Sequence, residues 1–288
     1  MSNAIATFAA STEPQHTTDR EAGRFVFWTT FFLVSIWALL LGAMSGWIHP
    51  AFLLLCPWLY VRFELYAHEL LHCRSGKQLN PILRLMMVAQ SVVHMDYDGY
   101  RLYHLDHHRF LGTRDDPEHY LVSSSTWGAL IKSLFCIEVG TLRHLRLHRR
   151  SFKWTSWLEL GLQAGVFAGL LVWNWQVFLI YFAVMRVGIG VADFYFHHCL
   201  HNDDHPAARW FRRTNERYPW LFGTILGYDT ISILIWHDEH HDSPRVAARC
   251  LHELSKPPAA PAPAPHFPAP AAPRERVLSA TTPDEPPA

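Results

Sequence analysis

The chain has 288 residues, of which 50% are hydrophobic and 14% aromatic, and its 25 basic and 25 acidic residues balance. The charged fraction of 17% lies below the rough quarter that is typical of soluble domains, and the balanced charge gives no indication of nucleic-acid binding. Five scattered cysteines without a C-x-x-C pair argue against a disulfide framework and indicate an environment that keeps thiols reduced.

The first long apolar segment follows a polar N-terminus. Residues 1–24 lack the layout of a signal peptide, and we predict that they form a disordered cytosolic segment. Residues 25–47 are nearly all apolar, and about 23 residues at ~1.5 Å each can cross a hydrocarbon core of about 30 Å. Trp28 and Trp47 lie near its ends, where interfacial aromatic residues are common. This pattern predicts a membrane-spanning helix rather than a buried helix of a soluble protein.

The second apolar segment ends in a pair of histidines. Residues 51–72 read AFLLLCPWLYVRFELYAHELLH, with an apolar first half and an amphipathic second half. We predict a helix that returns through the membrane and carries His68 and His72 at its polar end. Residues 81–93 are apolar but too few to span comfortably, so we expect a buried or re-entrant segment there.

The middle of the chain combines an amphipathic stretch with a basic one. Residues 126–140 have helical periodicity and one lysine, which predicts a helix at the membrane interface. Residues 143–153 are rich in arginine. Beside apolar segments, this composition favours a cytosolic loop attracted to anionic headgroups over a nucleic-acid site.

A long apolar block follows at residues 157–196. It breaks at residues 173–176, which predicts two spans joined by a tight turn. Arg186 and Asp193 lie in its second half, and charges within a membrane segment are functional candidates. Residues 221–236 are apolar again but short.

The distribution of positive charge predicts the topology. Basic residues crowd around positions 20–24, 62–84, 143–153 and 207–217. The short turns at residues 48–50 and 173–176 carry no lysine or arginine. The positive-inside rule therefore places both termini in the cytosol. We predict an all-α membrane protein with about four transmembrane helices in two hairpins, and a cytosolic helical cap that carries the histidine clusters.

These patterns divide the chain into three parts. Residues 1–24 are the predicted disordered N-terminus, and residues 25–254 are the predicted membrane domain. Residues 255–288 are dominated by proline and alanine, which cannot bury a core, so we predict a disordered tail.

Three histidine clusters carry the chemistry. His68 and His72 lie four residues apart on a helix, which is chelate spacing for a metal. Taken alone, His-Glu-x-x-His is also the signature of zinc peptidases, in which Glu69 would be the general base. The other two clusters have the form His-x-x-His-His, with His104, His107 and His108 in one and His237, His240 and His241 in the other. Eight imidazoles exceed the usual share of one ion, so we predict two metal ions of a type such as iron, copper or zinc.

The three clusters together resemble the histidine boxes of the membrane fatty acid desaturase and hydroxylase superfamily. The boxes read HELLH, HLDHH and HDEHH. Their surroundings YRLYHLDHHRFLGTRDDPEHY and WHDEHHDSPRVAARCLHEL are also similar to those of the family. The resemblance covers residues 25–254.

This resemblance implies a non-haem di-iron centre. The implied ligands are the eight histidines of the boxes, namely His68, His72, His104, His107, His108, His237, His240 and His241. The family usually adds one histidine before the third box, for which His197, His198 and His201 are candidates. We take His201 as the first choice and His198 as its possible replacement.

The implied reaction is removal of hydrogen from an unactivated C–H bond with dioxygen. Desaturation is favoured, and a hydroxylase or ketolase on the same site is the alternative. The chain has no dinucleotide fingerprint or fused haem domain, so a separate ferredoxin or b-type cytochrome with its reductase is implied as electron donor. The basic loops could dock such a donor if it is acidic.

The implied substrate is a lipid that enters from the bilayer. A fatty acyl chain is the leading candidate, and sphingoid, carotenoid or lipid-like compounds are the alternatives. Residues 246–248 are smaller than the family pattern leads us to expect, which leaves the substrate class open.

Two other hypotheses belong to different classes. A membrane zinc peptidase would use the first box and leave the other two without a role. A non-catalytic metal-binding or scaffold protein would not need three intact boxes. Metal analysis separates them, because the oxygenase requires two irons per chain and the peptidase one zinc.

Overall fold

The structure is a computed structural model. It describes residues 17–73, 91, 93–95, 97–122, 124–148, 154–202 and 205–254. Every regular element within these ranges is helical. The chain divides after residue 255, and residues 1–16 and 256–288, which include the predicted disordered tail, lie outside the described ranges.

Twelve α-helices are numbered here in chain order. They are α1 Thr17–Met44, α2 Cys56–Leu71, α3 Tyr97–Phe110, α4 His119–Val122, α5 Thr126–Ser133, α6 Cys136–His148, α7 Trp154–Trp173, α8 Trp175–Asp193, α9 Pro206–Arg217, α10 Pro219–Phe222, α11 Ile231–Ile235 and α12 His237–Asp242 within the described ranges. Short 3-10 helices cover Pro50–Leu55 and Ala248–Glu253, and π-helical turns cover Phe194–Cys199 and Gly223–Gly227.

Three of the described helices are long and apolar enough to cross a membrane. They are Thr18–Met44, Trp154–Trp173 and Trp175–Cys199. These helices agree with the spans predicted at residues 25–47 and 157–196, and they make the protein an all-helical membrane protein. The 16-residue α2 is not among them, so three of the roughly four predicted spans qualify by length and composition.

The first helix begins earlier than we predicted. Residues 17–24, which we expected to be disordered, form its first two turns. The physical reason is tertiary contact, because Thr18 is buried and its backbone N–H and hydroxyl both donate to the carbonyl of Arg245. Arg24 also pairs with Asp229. Polar composition alone does not reveal these partners.

The core centres on α2, which packs against both α1 and α8. Phe63 and Leu65 on α2 are fully buried. Pro57 occupies the first turn of α2, and a Cβ added at Gly188 of α8 would collide with it. Glycine therefore permits a close approach of these two helices at the start of α2.

The predicted break between two spans is confirmed at a single residue. Asn174 separates α7 from α8, and its side-chain oxygen accepts a hydrogen bond from the backbone N–H of Val177 at 3.3 Å. This is an N-cap, and it explains why α8 begins here. The Asn174 amide also donates to the carbonyl of Met44 at 3.1 Å, which ties the turn to the end of α1.

The buried charge of α8 has a structural partner. Both Arg186 terminal nitrogens donate to the Glu138 carboxylate, at 2.6 and 2.8 Å, and one also donates to the carbonyl of Leu134 at 3.0 Å. This bidentate pair joins α8 to α6 and satisfies a charge that would be costly if it were buried alone.

One shorter segment differs from its prediction, and another lies mostly outside the described residues. The stretch at residues 126–140 forms two helices, α5 and the first part of α6, rather than one. The predicted re-entrant segment at residues 81–93 lies almost wholly outside the described residues, as do residues 149–153 of the basic stretch.

Candidate metal centre

Four stretches of chain bring histidines to one place. His68 lies in the last turn of α2, and His72 directly follows that helix. The second box lies on α3, and the third box forms α12. His201 comes two residues after a π-helical turn that continues α8.

The histidines form two groups. In the first, the ring nitrogens of five histidines lie within 4.8 Å of one another: His68, His72, His104, His108 and His240. In the second, His107, His201 and His241 meet the same limit. His237 joins them, with its Nε2 atom 3.3 Å from that of His201 and 3.1 Å from that of His241. We name these the five-histidine group and the four-histidine group.

Each His-x-x-His-His box is divided between the groups. On α3, His104 and His108 are four residues apart and enter the five-histidine group, whereas His107 enters the four-histidine group. On α12 the roles are reversed, because His237 and His241 serve the four-histidine group and His240 the other. Successive helix residues are rotated by about 100°, so residue i+4 lies slightly to one side of residue i and residue i+3 lies to its other side. The i and i+4 histidines of a box can therefore meet in one group while the i+3 histidine enters the other.

The spacing of the nitrogens fits a shared metal ion. The Nε2 atom of His104 lies 3.0 Å from that of His72 and 3.1 Å from that of His108. Two nitrogens that are each ~2.1 Å from one ion lie ~3.0 Å apart at a right angle and ~3.4 Å apart at the tetrahedral angle. These two pairs have nearly right-angled spacing, and five imidazoles exceed the four ligands of tetrahedral structural zinc, which fits a higher coordination number.

A buried and unpaired imidazole supports the same interpretation. His240 is fully buried, and neither of its ring nitrogens has a hydrogen-bond partner among the described residues. A buried polar group left unpaired costs about 1–3 kcal/mol. A metal ion bound by the five-histidine group would satisfy a nitrogen of this ring.

Burial favours the neutral form of several of these imidazoles, which is the form that binds a metal. Burial and the neighbouring histidines keep the pKa values of His104, His237 and His240 well below the ordinary value of 6.5. The same causes lower the pKa of His108 to about 3 and that of His201 to about 4.

Two carboxylates stand behind one histidine of the four-histidine group. The Nδ1 atom of His107 lies 2.9 Å from an oxygen of Asp116 and 3.3 Å from one of Glu118. Burial alone would raise the pKa of Glu118, but His107 and His197 hold it below its usual value. A carboxylate on the second nitrogen fixes the tautomer of a ligand histidine and raises its basicity. Sequence reasoning did not single out these two acids, although they closely follow the second box.

Glu69 of the first box makes its hydrogen bond outside both groups, although its other carboxylate oxygen lies 3.9 Å from the Nδ1 atom of His68. Its side chain is 1% exposed, and one oxygen accepts a hydrogen bond from the backbone N–H of Ala248 at 3.0 Å. The carboxylate thus joins the end of α2 to the segment after the third box. This contact leaves it badly placed to act as the general base of a peptidase.

The candidates for the ninth histidine separate clearly in space. His201 lies in the four-histidine group. His197 contacts Glu118 at 2.6 Å and Asp193 at 3.6 Å instead, and the Nδ1 atom of His198 donates to the carbonyl of Leu121 at 3.2 Å. The π-helical turn sets this arrangement, since its wider winding changes which residues of the helix share a face.

A cavity lies against both groups. Histidines of the two groups form part of its wall, and Val61, Ala192 and Phe196 add apolar surface. Glu64 and Asp193 add carboxyl groups. A substrate segment or dioxygen in this cavity would be next to both sets of nitrogens.

The fold and the site define a helical membrane protein with a histidine cluster that could hold metal ions. The family model described as fatty acid desaturase matches residues 45–269, a range that includes all nine grouped histidines. The chain therefore belongs to the fatty acid desaturase family and is an oxidoreductase of the desaturase type. No curated protein and no solved structure gives a significant match to the chain.

Proposed function

We propose that this protein is a dioxygen-dependent di-iron oxidoreductase that desaturates a lipid, with a fatty acyl chain as the first candidate. The observation that carries the proposal is the convergence of nine imidazoles into two groups beside apolar helices. Each group would hold one iron through Nε2 atoms, and membership of the fatty acid desaturase family supports this assignment. The proposed ligands are His68, His72, His104, His108 and His240 for one iron and His107, His201, His237 and His241 for the other.

When bound, the irons would supply the activation of dioxygen and the removal of hydrogen from an unactivated C–H bond. The balanced reaction takes two hydrogens from the lipid, together with two electrons and two protons, and converts dioxygen to two waters. The electrons come from a separate ferredoxin or b-type cytochrome with its reductase.

The chain itself would position and protect the reaction. The nine imidazoles hold the metals, and Asp116 and Glu118 keep His107 in one tautomer and orientation. The buried packing of α2 against α8 limits water near the site. Val61, Ala192 and Phe196 offer apolar contact to a hydrocarbon chain in the cavity.

The proposal includes a topology with both termini and the metal site in the cytosol. α2 would be the fourth span, making two hairpins with a helical cap. Its charge at Arg62 has partners, since the guanidinium donates to the carbonyl of Ile225 at 3.3 Å and lies over the Phe32 ring. A Trp47→Cys variant should react with a membrane-impermeant thiol reagent added outside intact cells. Labelling only after permeabilisation would contradict this orientation.

Expression in a lipid-producing host tests the reaction. Mass spectrometry of the lipids should detect products that have lost two hydrogens, whereas a gain of one oxygen would support the hydroxylase alternative. His107→Ala should abolish either product, because it removes a proposed ligand. His252→Ala is the matched control, since this exposed histidine lies outside both groups and its Nδ1 atom donates to the carbonyl of Arg249 at 2.9 Å.

Metal analysis of the purified protein tests the centre. Two irons per chain would support the proposal. One zinc per chain with no lipid product would refute it in favour of a peptidase, although the contact of Glu69 with Ala248 gives that alternative no support.

A further inference from the structure

A second pocket reaches the histidine groups from a different side. His72, His108 and His241 line it, and of these only His241 also lines the cavity described above. His72 and His108 belong to the five-histidine group, and His241 belongs to the other. One pocket thus gives access to imidazoles of both groups.

The pocket lies where the apolar helices end. One wall includes Arg245, whose carbonyl accepts hydrogen bonds from the backbone N–H and hydroxyl of Thr18 at the start of α1. Another wall includes Arg101, whose guanidinium donates to the carbonyl of Cys73, just beyond α2. These contacts place the pocket at the polar ends of both helices rather than beside their apolar faces.

The described lining carries positive charge and a small apolar surface. Arg101, Arg109 and Arg245 contribute three guanidinium groups, with Leu105 and Pro244 between them, and no acidic residue belongs to the described lining. On α3, Arg101, Leu105 and Arg109 recur every four residues, so they share one face of the helix. Arg109 and Arg245 are exposed, and the Nε atom of Arg101 is buried without a hydrogen-bond partner among the described residues.

We infer that this pocket docks an acidic electron-carrier protein and that electrons enter through the edges of His72, His108 and His241. The inference rests on the proposed function. Clustered positive charge steers an acidic partner and sets its orientation, while electron-transfer contacts need only a small interface. Electron transfer falls steeply with distance, so a carrier gains from contact with the ligand imidazoles, whereas an anionic lipid headgroup does not.

The redox balance is simple. In each encounter the carrier is oxidised by one electron and the metal pair is reduced by one. Two encounters supply the two electrons that the proposed desaturation consumes, and its two protons come from water.

The test compares a physiological type of donor with a chemical one. The iron-loaded protein in lipid nanodiscs is supplied with a plant-type ferredoxin and its reductase or with a soluble b-type cytochrome and its reductase. The double variant Arg109→Glu and Arg245→Glu should raise the half-saturating carrier concentration about tenfold or more and flatten its dependence on salt. Its iron content and its single-turnover product yield with dithionite should match those of the parent protein.

Two single variants serve as controls. Arg213→Glu reverses an exposed charge on α9, outside the described lining, and should leave the carrier dependence within about twofold. Arg146→Glu reverses an exposed charge in the basic stretch that the sequence suggests as a docking loop. If Arg146→Glu weakens the carrier and the double variant does not, docking at the pocket is refuted.

Other outcomes also decide between the hypotheses. If neither carrier reduces the parent protein, or if the double variant loses dithionite-driven product equally, the inference is overturned. If it loses binding to phosphatidylglycerol vesicles with unchanged carrier kinetics, the pocket is a lipid-headgroup site instead. Failure of the proposed function is distinguishable, because the parent protein would then give no oxygen-dependent product even with dithionite.

Discussion

The two histidine groups differ in what lies behind their imidazoles. In the five-histidine group, the Nδ1 atoms of His68, His108 and His240 have no hydrogen-bond partner among the described residues. In the four-histidine group, the Nδ1 atoms of His237 and His241 likewise have none among the described residues, but that of His107 faces the carboxylates of Asp116 and Glu118.

His201, in the same four-histidine group, donates its Nδ1 proton to the carbonyl of Phe196 at 3.0 Å. Two of the four imidazoles in this group, those of His107 and His201, therefore have an acceptor at Nδ1. Nearby negative charge favours a bound cation and makes the attached imidazole a stronger donor. Two groups built from the same residue type can thus be unequal, because one has more imidazoles and the other has carboxylates next to one of its imidazoles.

The largest expected effect comes from removing one histidine from each group. His241→Ala leaves three imidazoles in its group and should reduce iron towards one per chain after treatment with a chelator. His240→Ala leaves four imidazoles and should retain more iron, although product formation should fall on the order of a hundredfold in both variants. Metal analysis measures the iron content, and lipid mass spectrometry measures product formation. Equal loss of iron from both variants would contradict the predicted difference.

A smaller effect should follow from changing the carboxylate that orients His107. Asp116→Asn should weaken iron binding at the four-histidine group about 10–100-fold, because the amide carries no charge. Chelator competition measures the affinity, and Mössbauer spectra should show a change in only one of two iron signals. Glu216→Gln is the control, since this exposed carboxylate on α9 lies outside both groups and its loss should leave both signals in place. Changes in both signals of Asp116→Asn would disprove the assignment to one metal.

The smallest effect is expected at His198, the alternative ninth histidine. His198→Ala removes the hydrogen bond to the carbonyl of Leu121 and should lower the free energy of unfolding by about 1 kcal/mol. Iron content should stay unchanged because His201, not His198, lies in the four-histidine group. Thermal unfolding and metal analysis of the purified variant test this prediction, and loss of one iron would make His198 the ligand instead.

Much of the helical framework could be predicted from the sequence. Apolar length and the lack of charge identified α1, α7 and α8, and the break at Asn174 was confirmed. The start of α1 was predicted wrongly, because Thr18 and Arg24 are held by residues more than 200 positions away in the chain. Local composition contains no information about such contacts.

The histidines that the structure brings together could be predicted from the sequence, but their arrangement could not. Helical spacing alone brings together His68 with His72 and the three histidines of each later box. It does not determine that each box divides between two groups, because that depends on where α3 and α12 stand relative to α2. The contacts of Asp116 and Glu118 with the Nδ1 atom of His107 also depend on the loop after α3, which brings these two residues back next to that helix.

By itself, the sequence determined the class of the protein: a helical membrane protein with three histidine boxes, since hydropathy and residue spacing are local properties of the chain. Only the tertiary structure decided the division into five and four imidazoles, the place of His201 among three neighbouring candidates and the inward-facing bond of Glu69 to Ala248. These features depend on the angles between packed helices and on the π-helical turn after α8. Small rotations there determine which side chains meet, and no local pattern encodes them.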